Sequence, residues 1–583
     1  MPGFAQVGLI VAGMMALQAG RTAIGAAEDT FRSQVVVCQQ GDAAVAGRDV
    51  LRRGGNAIDA AIATAFALQV THPAAGNIGG GGFIVAYLAA TREVVTVDFR
   101  EMAPAAATER LYLTADNTLI PHHRAGPLAA GVPGTVRGLG LAHARYGKLA
   151  WADLVRPAVT LARDGFVISD TLARSLNGQV LPRGTVDSGG VPEDLGPQGD
   201  RLADFAASVA AYRKPDGGPW AGGDRLIQAD LAATLERIAA GGPDEFYAGE
   251  TARKLVAHMK NLGGLITLDD LAAYQARVRP PVHGTFKGFD IYGMGPVASG
   301  GILIVQMLNI LERYDLKADG PQAPRTVHRV TEAMRRGFFT RATEVADPDF
   351  VAVPVDRLTS KAYADILAAS VTDRATLSAS LASFPILDAE GTHTTHLSTL
   401  DSQGNAVALT YTLEEGYGSK SVVAGAGFLL NNEMGDFNLI PGRTDVTGRV
   451  GTVPNRIVPR KRMLSSMSPT LVLKDGKVRV VTGSPGGRTI PNTTIWVILN
   501  ILEFGLSPRD AVNGRRTHHQ WFPDTLALEG EWDQATLDAL AAMGHKLRTG
   551  GIQGDAHTIV VDAAGTIHGV PDLRRKTSQA AGD

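Results

Sequence analysis

One cysteine in 583 residues leaves no partner for an internal disulfide and excludes a cysteine-based metal site. That residue, Cys38, lies among apolar neighbours in SQVVVCQQGD, which predicts a buried, unreactive thiol. A chain without disulfides suits either redox environment, so cysteine usage leaves the compartment open. A basic block is also missing. Lys and Arg number 56 against 58 Asp and Glu, a net charge of -2, so a nucleic-acid or anionic-membrane partner has no electrostatic support. Long apolar runs are scarce. The run Val7–Ala19 is too short for a membrane span and suits the core of a signal peptide, with small residues following it, although no Lys or Arg precedes it. The expectation is a signal peptide over residues 1–27 and a periplasmic or secreted mature protein with no membrane span.

Glycine is plentiful, at 68 residues, and points to many turns and close backbone approaches. Residues 43–70 carry helical spacing, broken at Gly54-Gly55, with Asn56 placed to cap a second, alanine-rich helix. GNIGGGGFIVAYL then reads as a glycine loop feeding a strand, and EVVTVDF as its hairpin partner. A dinucleotide-binding loop needs strand, glycine loop and helix in that order, so these glycines are read as close-packing positions. Residues 147–280 are mostly helical. GGILIVQMLNILERYDL and RTVHRVTEAMRRGFFTRATEVADPDF read as two amphipathic helices, and residues 365–390 as an exposed connection. Three hairpins follow, HLSTLDSQGNAVALTYTL, TLVLKDGKVRVVTGS and HTIVVDAAGTIHGV, interleaved with helical pieces. Hairpins with helices on separate faces predict an α+β layered domain with antiparallel sheets.

The chemistry gathers around GTHTTHLST. A mid-chain threonine hydroxyl is a poor nucleophile, and Thr is in any case a good strand former. Were the bond after His393 cut, Thr394 would carry both a hydroxyl and an α-amine, whose ordinary pKa of about 7.7–8.0 lets it act as the hydroxyl's own base. The surrounding set fits an amino-acid head group beside an acyl carbonyl. Arg100 follows a strand, where a guanidinium can clamp a carboxylate. Glu433 and Asp436 in NNEMGDFN can meet an ammonium, and Ser465-Ser466 offer two hydroxyls. The turn TGSPGGR offers backbone N–H groups at Gly486 and Gly487 for an oxyanion. Each element alone also has a plain structural reading as a salt bridge, a turn cap or a tight turn.

These strings, with DFREMAP, GVPGTVRGL and HHQWFPD, closely resemble the γ-glutamyltransferase family of N-terminal-nucleophile hydrolases over nearly the whole chain. The resemblance implies a four-layer αββα sandwich and autocatalytic cleavage before Thr394. The large fragment, residues 28–393, and the small one, 394–583, would stay together as one heterodimeric unit. It implies Thr394 as nucleophile, with Thr412 bonded to its hydroxyl. Arg100, Ser465 and Ser466 would hold the substrate α-carboxylate, Glu433 and Asp436 the α-ammonium, and Gly486 and Gly487 the oxyanion. No metal or organic cofactor is implied. The partners are a small γ-glutamyl donor such as glutathione and a water, amino-acid or peptide acceptor.

Two departures stand out. Glu414 replaces an asparagine that in relatives contacts the substrate amino end, and it keeps open the alternative of a glutaryl-type (cephalosporin) acylase. Thr447, within the candidate lid 438–463, stands where some bacterial relatives carry a gating tyrosine. An uncleaved, non-catalytic scaffold is the remaining alternative.

Overall fold

In a computed structural model, residues 29–183, 199–382, 394–446 and 450–583 are described. The expected signal peptide, His393 and Thr447 lie outside them.

Two seven-stranded antiparallel sheets stack face to face. The first runs in the order Gln579–Gly582, Val35–Cys38, Thr395–Leu400, Ala406–Thr412, Gly81–Leu88, Glu93–Phe99, Arg277–Arg279. The second runs Asp29–Phe31, Ile567–Val570, Thr558–Val561, Lys477–Thr482, Thr470–Lys474, Phe289–Gly293, Val282–Phe286. Strand alternation divides the core into layers. Val35, Val37, Phe83 and Val85 point between the sheets to meet Leu471 and Val481. Their neighbours Val36, Cys38, Ile84 and Ala86 point the other way, into a layer of helices. That layer includes Ala57–Thr71, Thr135–Tyr146, Trp151–Asp164 and Ala229–Gly241. Gly300–Leu311, Pro324–Glu344 and Ile490–Leu502 cover the second sheet. The result is the αββα sandwich. Both sheets combine strands from before and after Thr394, so neither stretch owns a complete sheet.

The local readings hold where spacing is strong. Asn56 caps the helix Ala57–Thr71 through a reciprocal box with Asp59. All three hairpins form. Two readings need correction. The helix Gly300–Leu311 is not amphipathic, because every residue in it is buried between the second sheet and its companion helices. A helix apolar all round belongs inside. Residues 365–390 are not all connection: the helix Lys361–Ala369 reaches into them, and a short 3-10 turn covers Ser378–Leu381.

The glycine loop does bring backbones together. A Cβ on Gly80 would lie 2.0 Å from the carbonyl oxygen of Thr412, and one on Gly79 2.1 Å from that of Leu429. Asn77 ties this contact down, donating to Thr412 O at 2.9 Å while its own oxygen accepts from Gly80 N at 3.0 Å.

Candidate active site

Strand register brings the predicted residues to one end of the sandwich. Thr395 pairs with Tyr411, Thr412 with Gly81 and Gly82 with Phe99, so Thr394, Thr412 and Arg100 leave the first sheet at the same edge. Thr470 pairs with Thr482 at the matching edge of the second, which delivers Ser465-Ser466 and the Gly486-Gly487 turn. A cavity of about 110 Å³ opens there. Of the sequence-predicted residues, all except Gly486 line it.

Thr394 is half-buried at the head of the strand Thr395–Leu400. Thr412 Oγ1 donates to Thr394 Oγ1 at 3.3 Å and accepts from Glu414 N at 2.7 Å. No histidine serves as base from the same strand. His396 is fully buried, with Nδ1 2.8 Å from Thr410 Oγ1 and Nε2 3.1 Å from Ser398 Oγ. Burial, reinforced by His557, holds its pKa well below the ordinary value, so it stays neutral. Cys38 is likewise inert: burial pushes its thiol up to about 12.

Arg100 and the two acids prove to be partners of one another. The guanidinium pairs with Glu433 through Nη1 and with Asp436 through Nη2, and Nε donates to Met463 O at 3.1 Å. Glu101, 3.6 Å from Nη1, joins the cluster. Burial depresses the Arg100 pKa, but Glu433, Asp436 and Glu101 outweigh it and hold the cation charged. One guanidinium cannot neutralise three acids. Burial raises the Glu101 carboxyl to about 7 against the pull of Arg100, and raises Glu433 as well. Glu101 stands next to Arg100 in DFREMAP, and that adjacency was the one signal for it in the sequence.

Glu414 has a partner 290 positions away that no local spacing reveals. Arg124 Nη1 donates at 2.9 Å to Glu414 Oε1 and at 2.9 Å to Glu415 Oε1, and Nη2 at 3.2 Å to Gly435 O. Burial raises the Glu414 pKa to about 8, with Arg124 opposing and Glu415 adding to the rise. Two carboxylates share one guanidinium nitrogen, and a retained proton relieves the excess charge. Arg341 was also missed. It lies on the helix Pro324–Glu344, where an arginine reads as ordinary polar surface, yet it is buried and faces the cavity.

The glycine turn joins the strand Lys477–Thr482 to the helix Ile490–Leu502. Gly486 has φ +125° and Gly487 +55°, conformations that disfavour a side chain. Gly487 lines the cavity, while Gly486 sits behind it and accepts from Thr489 N at 3.0 Å. Ser465 is fixed from behind, its carbonyl accepting from Ser299 N and Oγ, both at 2.8 Å. In the candidate lid, Asn438 donates to Thr452 O at 2.6 Å and Asn455 to Asp436 O at 2.7 Å, which folds the segment onto the cavity rim. Among the described residues, no group of three or more His, Cys, Asp or Glu is arranged to hold a metal ion, and no helix is long and apolar enough to cross a membrane.

A threonine at a strand end, a cationic and acidic cluster and a positive-φ glycine turn in one cavity suit acyl transfer from an amino-acid-like donor. Comparison with known proteins agrees. The family profile described as gamma-glutamyltranspeptidase matches residues 43–582. The chain is 40% identical over 570 residues to the glutathione hydrolase proenzyme of Escherichia coli K12, covering 96% of this chain and 94% of that one. It is 43% identical over 521 residues to the glutathione hydrolase proenzyme of Pseudomonas aeruginosa, covering 88% of each. Among solved structures, a cephalosporin acylase from Bacillus halodurans superposes with a TM-score of 0.81 at 25% identity, covering 98% of this chain and 99% of that one.

Proposed function

The chain belongs to the gamma-glutamyltranspeptidase family, and from that premise we propose that it cleaves γ-glutamyl amides such as glutathione with Thr394 as nucleophile. The observation that carries this reading is the Thr412–Thr394 hydroxyl contact of 3.3 Å at the mouth of a cavity that also holds Arg100, Glu433, Asp436, Ser465 and Ser466.

The first step is maturation. The Thr394 hydroxyl attacks the carbonyl of residue 393, the C–N bond breaks, and water hydrolyses the resulting ester. A large fragment ending at residue 393 and a small one, 394–583, are released as separate chains but remain interleaved in both sheets. The new α-amine is the base that the uncut chain lacks. In catalysis the amine takes the Thr394 hydroxyl proton as Oγ1 attacks the γ-carbonyl. Gly487, with Gly486 shaping the turn, stabilises the oxyanion. The C–N bond breaks, the proton passes to the departing amine, and a γ-glutamyl ester remains on Thr394. Water or an amine then takes the acyl group, giving ping-pong kinetics. Arg100 with Ser465 and Ser466 receives the donor α-carboxylate, and Asp436 and Glu433 receive its ammonium. Binding exchanges the Arg100–Asp436 pair for substrate contacts, the α-carboxylate replacing Asp436 on Arg100 and the ammonium replacing Arg100 on Asp436. Glu414, paired with Arg124, borders the ammonium end.

Denaturing electrophoresis with intact masses, beside Thr394→Ala, tests this. Two fragments in the parent chain, the smaller starting at Thr394, and one chain in the variant are expected. A single uncut chain in both, with no turnover, would favour the scaffold reading. The likeness to the cephalosporin acylase favours a second reading, a glutaryl-type acylase. Relative turnover of γ-glutamyl and glutaryl anilides separates the two, since only the first carries the ammonium that Asp436 and Glu433 would recognise.

A further inference from the structure

The loop that follows the strand Ala406–Thr412 is buried throughout, from Leu413 to Lys420. Yet three of its residues that carry side chains lie in the left-handed region: Glu414 at φ +81°, Tyr417 at +61° and Lys420 at +63°. L-residues rarely adopt such angles, and a run that does so beside a reactive group is held there by its surroundings. Lys420 is the more unusual feature. It is 1% exposed, although lysine is almost never buried without a fixed partner. Its Nζ turns back on its own loop and donates to Gly416 O, with the Tyr417 ring 6.0 Å away. The backbone of Lys420 is fixed as well. Its N donates to Tyr417 O at 2.9 Å, and its carbonyl accepts from Ser208 Oγ at 2.7 Å. The side chain closes the loop on itself, and the Ser208 hydroxyl pins the closed end to the helix Ala206–Tyr212.

At its other end the loop presents Glu414 N, which donates to Thr412 Oγ1 at 2.7 Å. A hydroxyl oxygen that accepts from a backbone N–H sends its own proton away from that N–H. The Thr412 proton is directed to Thr394 Oγ1 at 3.3 Å. A backbone amide thus sets the direction of the contact on Thr394, and the closure of the loop sets the amide. We propose that Lys420 is a positioning residue for Thr394: by holding Gly416 O it fixes Glu414 N against Thr412, and so orients the Thr412 hydroxyl toward the attacking oxygen. The proposal rests on the reading of Thr394 as nucleophile. Lys420 does not line the cavity, so its effect reaches the chemistry only through the loop. Other groups on the loop bear on the ammonium end instead. Glu414 and Glu415 meet Arg124, and Glu415 N donates to Asn432 Oδ1 at 3.1 Å, beside Glu433. A loosened loop has two routes to the chemistry, and kinetics separates them.

The test is a double-mutant cycle on hydrolysis of γ-glutamyl-4-nitroanilide, with rates expressed per cleaved chain, in the parent, Lys420→Met, Thr412→Val and the pair. Met keeps the bulk of the side chain and removes the donor. Lys420→Met should lower kcat roughly tenfold with KM little changed, the scale of the Thr412 hydrogen bond itself. In the Thr412→Val background it should lower kcat by less than about twofold further. Two falls that multiply would overturn the proposal, because a purely structural role acts whether or not the Thr412 hydroxyl is there. A rise in KM at unchanged kcat would overturn it too, since that places Lys420 behind the ammonium end. If Lys420→Met gives no folded protein, Ser208→Ala releases the same end of the loop and runs through the same cycle, with an expected fall in kcat of roughly threefold. A parent that turned over no γ-glutamyl anilide would remove the γ-glutamyl reading rather than this one. The same cycle read on the rate of fragment formation, which uses the same Thr394 hydroxyl, would then decide the role of Lys420.

Discussion

Arg124 and Glu414 meet at 2.9 Å on the wall of the cavity, and Glu415 holds the same guanidinium nitrogen at the same distance. The pairing converts an apparently excess carboxylate into one side of a buried carboxyl–guanidinium cluster. It therefore makes the Glu414 position a source of pH-dependent stability as well as a wall of the site.

The sign of that dependence follows from the raised pKa. Glu414 has an ordinary value of 4.5 and a folded value of about 8, so between those values the folded chain holds a proton that the unfolded chain has released. The stability contributed is full below pH 4.5 and is lost as pH rises through about 8. Glu414→Gln should flatten the fall in Tm across this window, measured by thermal melts at stepped pH. An unchanged slope would mean that Glu414 is ionised throughout.

Removing Arg124 acts in the opposite direction. Arg124→Gln leaves Glu414 and Glu415 buried without their shared cation, and the variant should lose about 3 kcal/mol at neutral pH. The loss should shrink in mildly acid solution, where Glu414 is fully protonated and no longer needs the cation. Urea unfolding at two pH values reads this directly.

Under the proposed mechanism, Thr412 positions the Thr394 hydroxyl. Thr412→Val keeps the strand-forming shape but removes the donor to Thr394 and the acceptor for Glu414 N. The expected result is a kcat reduced roughly tenfold with KM little changed, the value of one hydrogen bond felt in the transition state. Thr412→Ser should recover most of it.

Gly80 allows the strand that carries Thr412 to sit where it does. A methyl group there would press on Thr412 O and on Asn77. Gly80→Ala should cost about 1–3 kcal/mol, and should lower kcat more than the destabilisation alone accounts for, because Thr412 is displaced. Folded-state spectra taken with single-turnover rates separate the two effects.

Arg100→Lys tests the head-group clamp. Lysine keeps the charge near Glu433 and Asp436 but lacks the planar fork, so KM for γ-glutamyl donors should rise by roughly tenfold or more while fragment formation is unaffected. A variant that failed to mature would show instead that Arg100 mainly holds the acid cluster together.

What could be read in advance was local. The His396 strand, the Asn56 cap, the three hairpins and the Gly486-Gly487 turn each depend on residues within a few positions of one another, so spacing and turn chemistry reveal them. Site residues on strand ends were legible for the same reason, since Thr394, Thr412 and Arg100 each sit at a visible change of pattern. The helix Gly300–Leu311 was misread because a sequence shows the apolar face but not how many neighbours will cover the rest.

The sequence by itself determined the local elements, the candidate Thr394 and the glycine turn, because these are set by backbone preference and side-chain type. Only the tertiary structure decided the charge partners. Arg124 and Glu414 are 290 positions apart, and Arg100 and Glu433 are 333 apart. Whether a charge is paired or shared depends on which loops the two sheets bring to one edge. Coulomb energy is a function of distance in space and of burial, and neither is written along the chain.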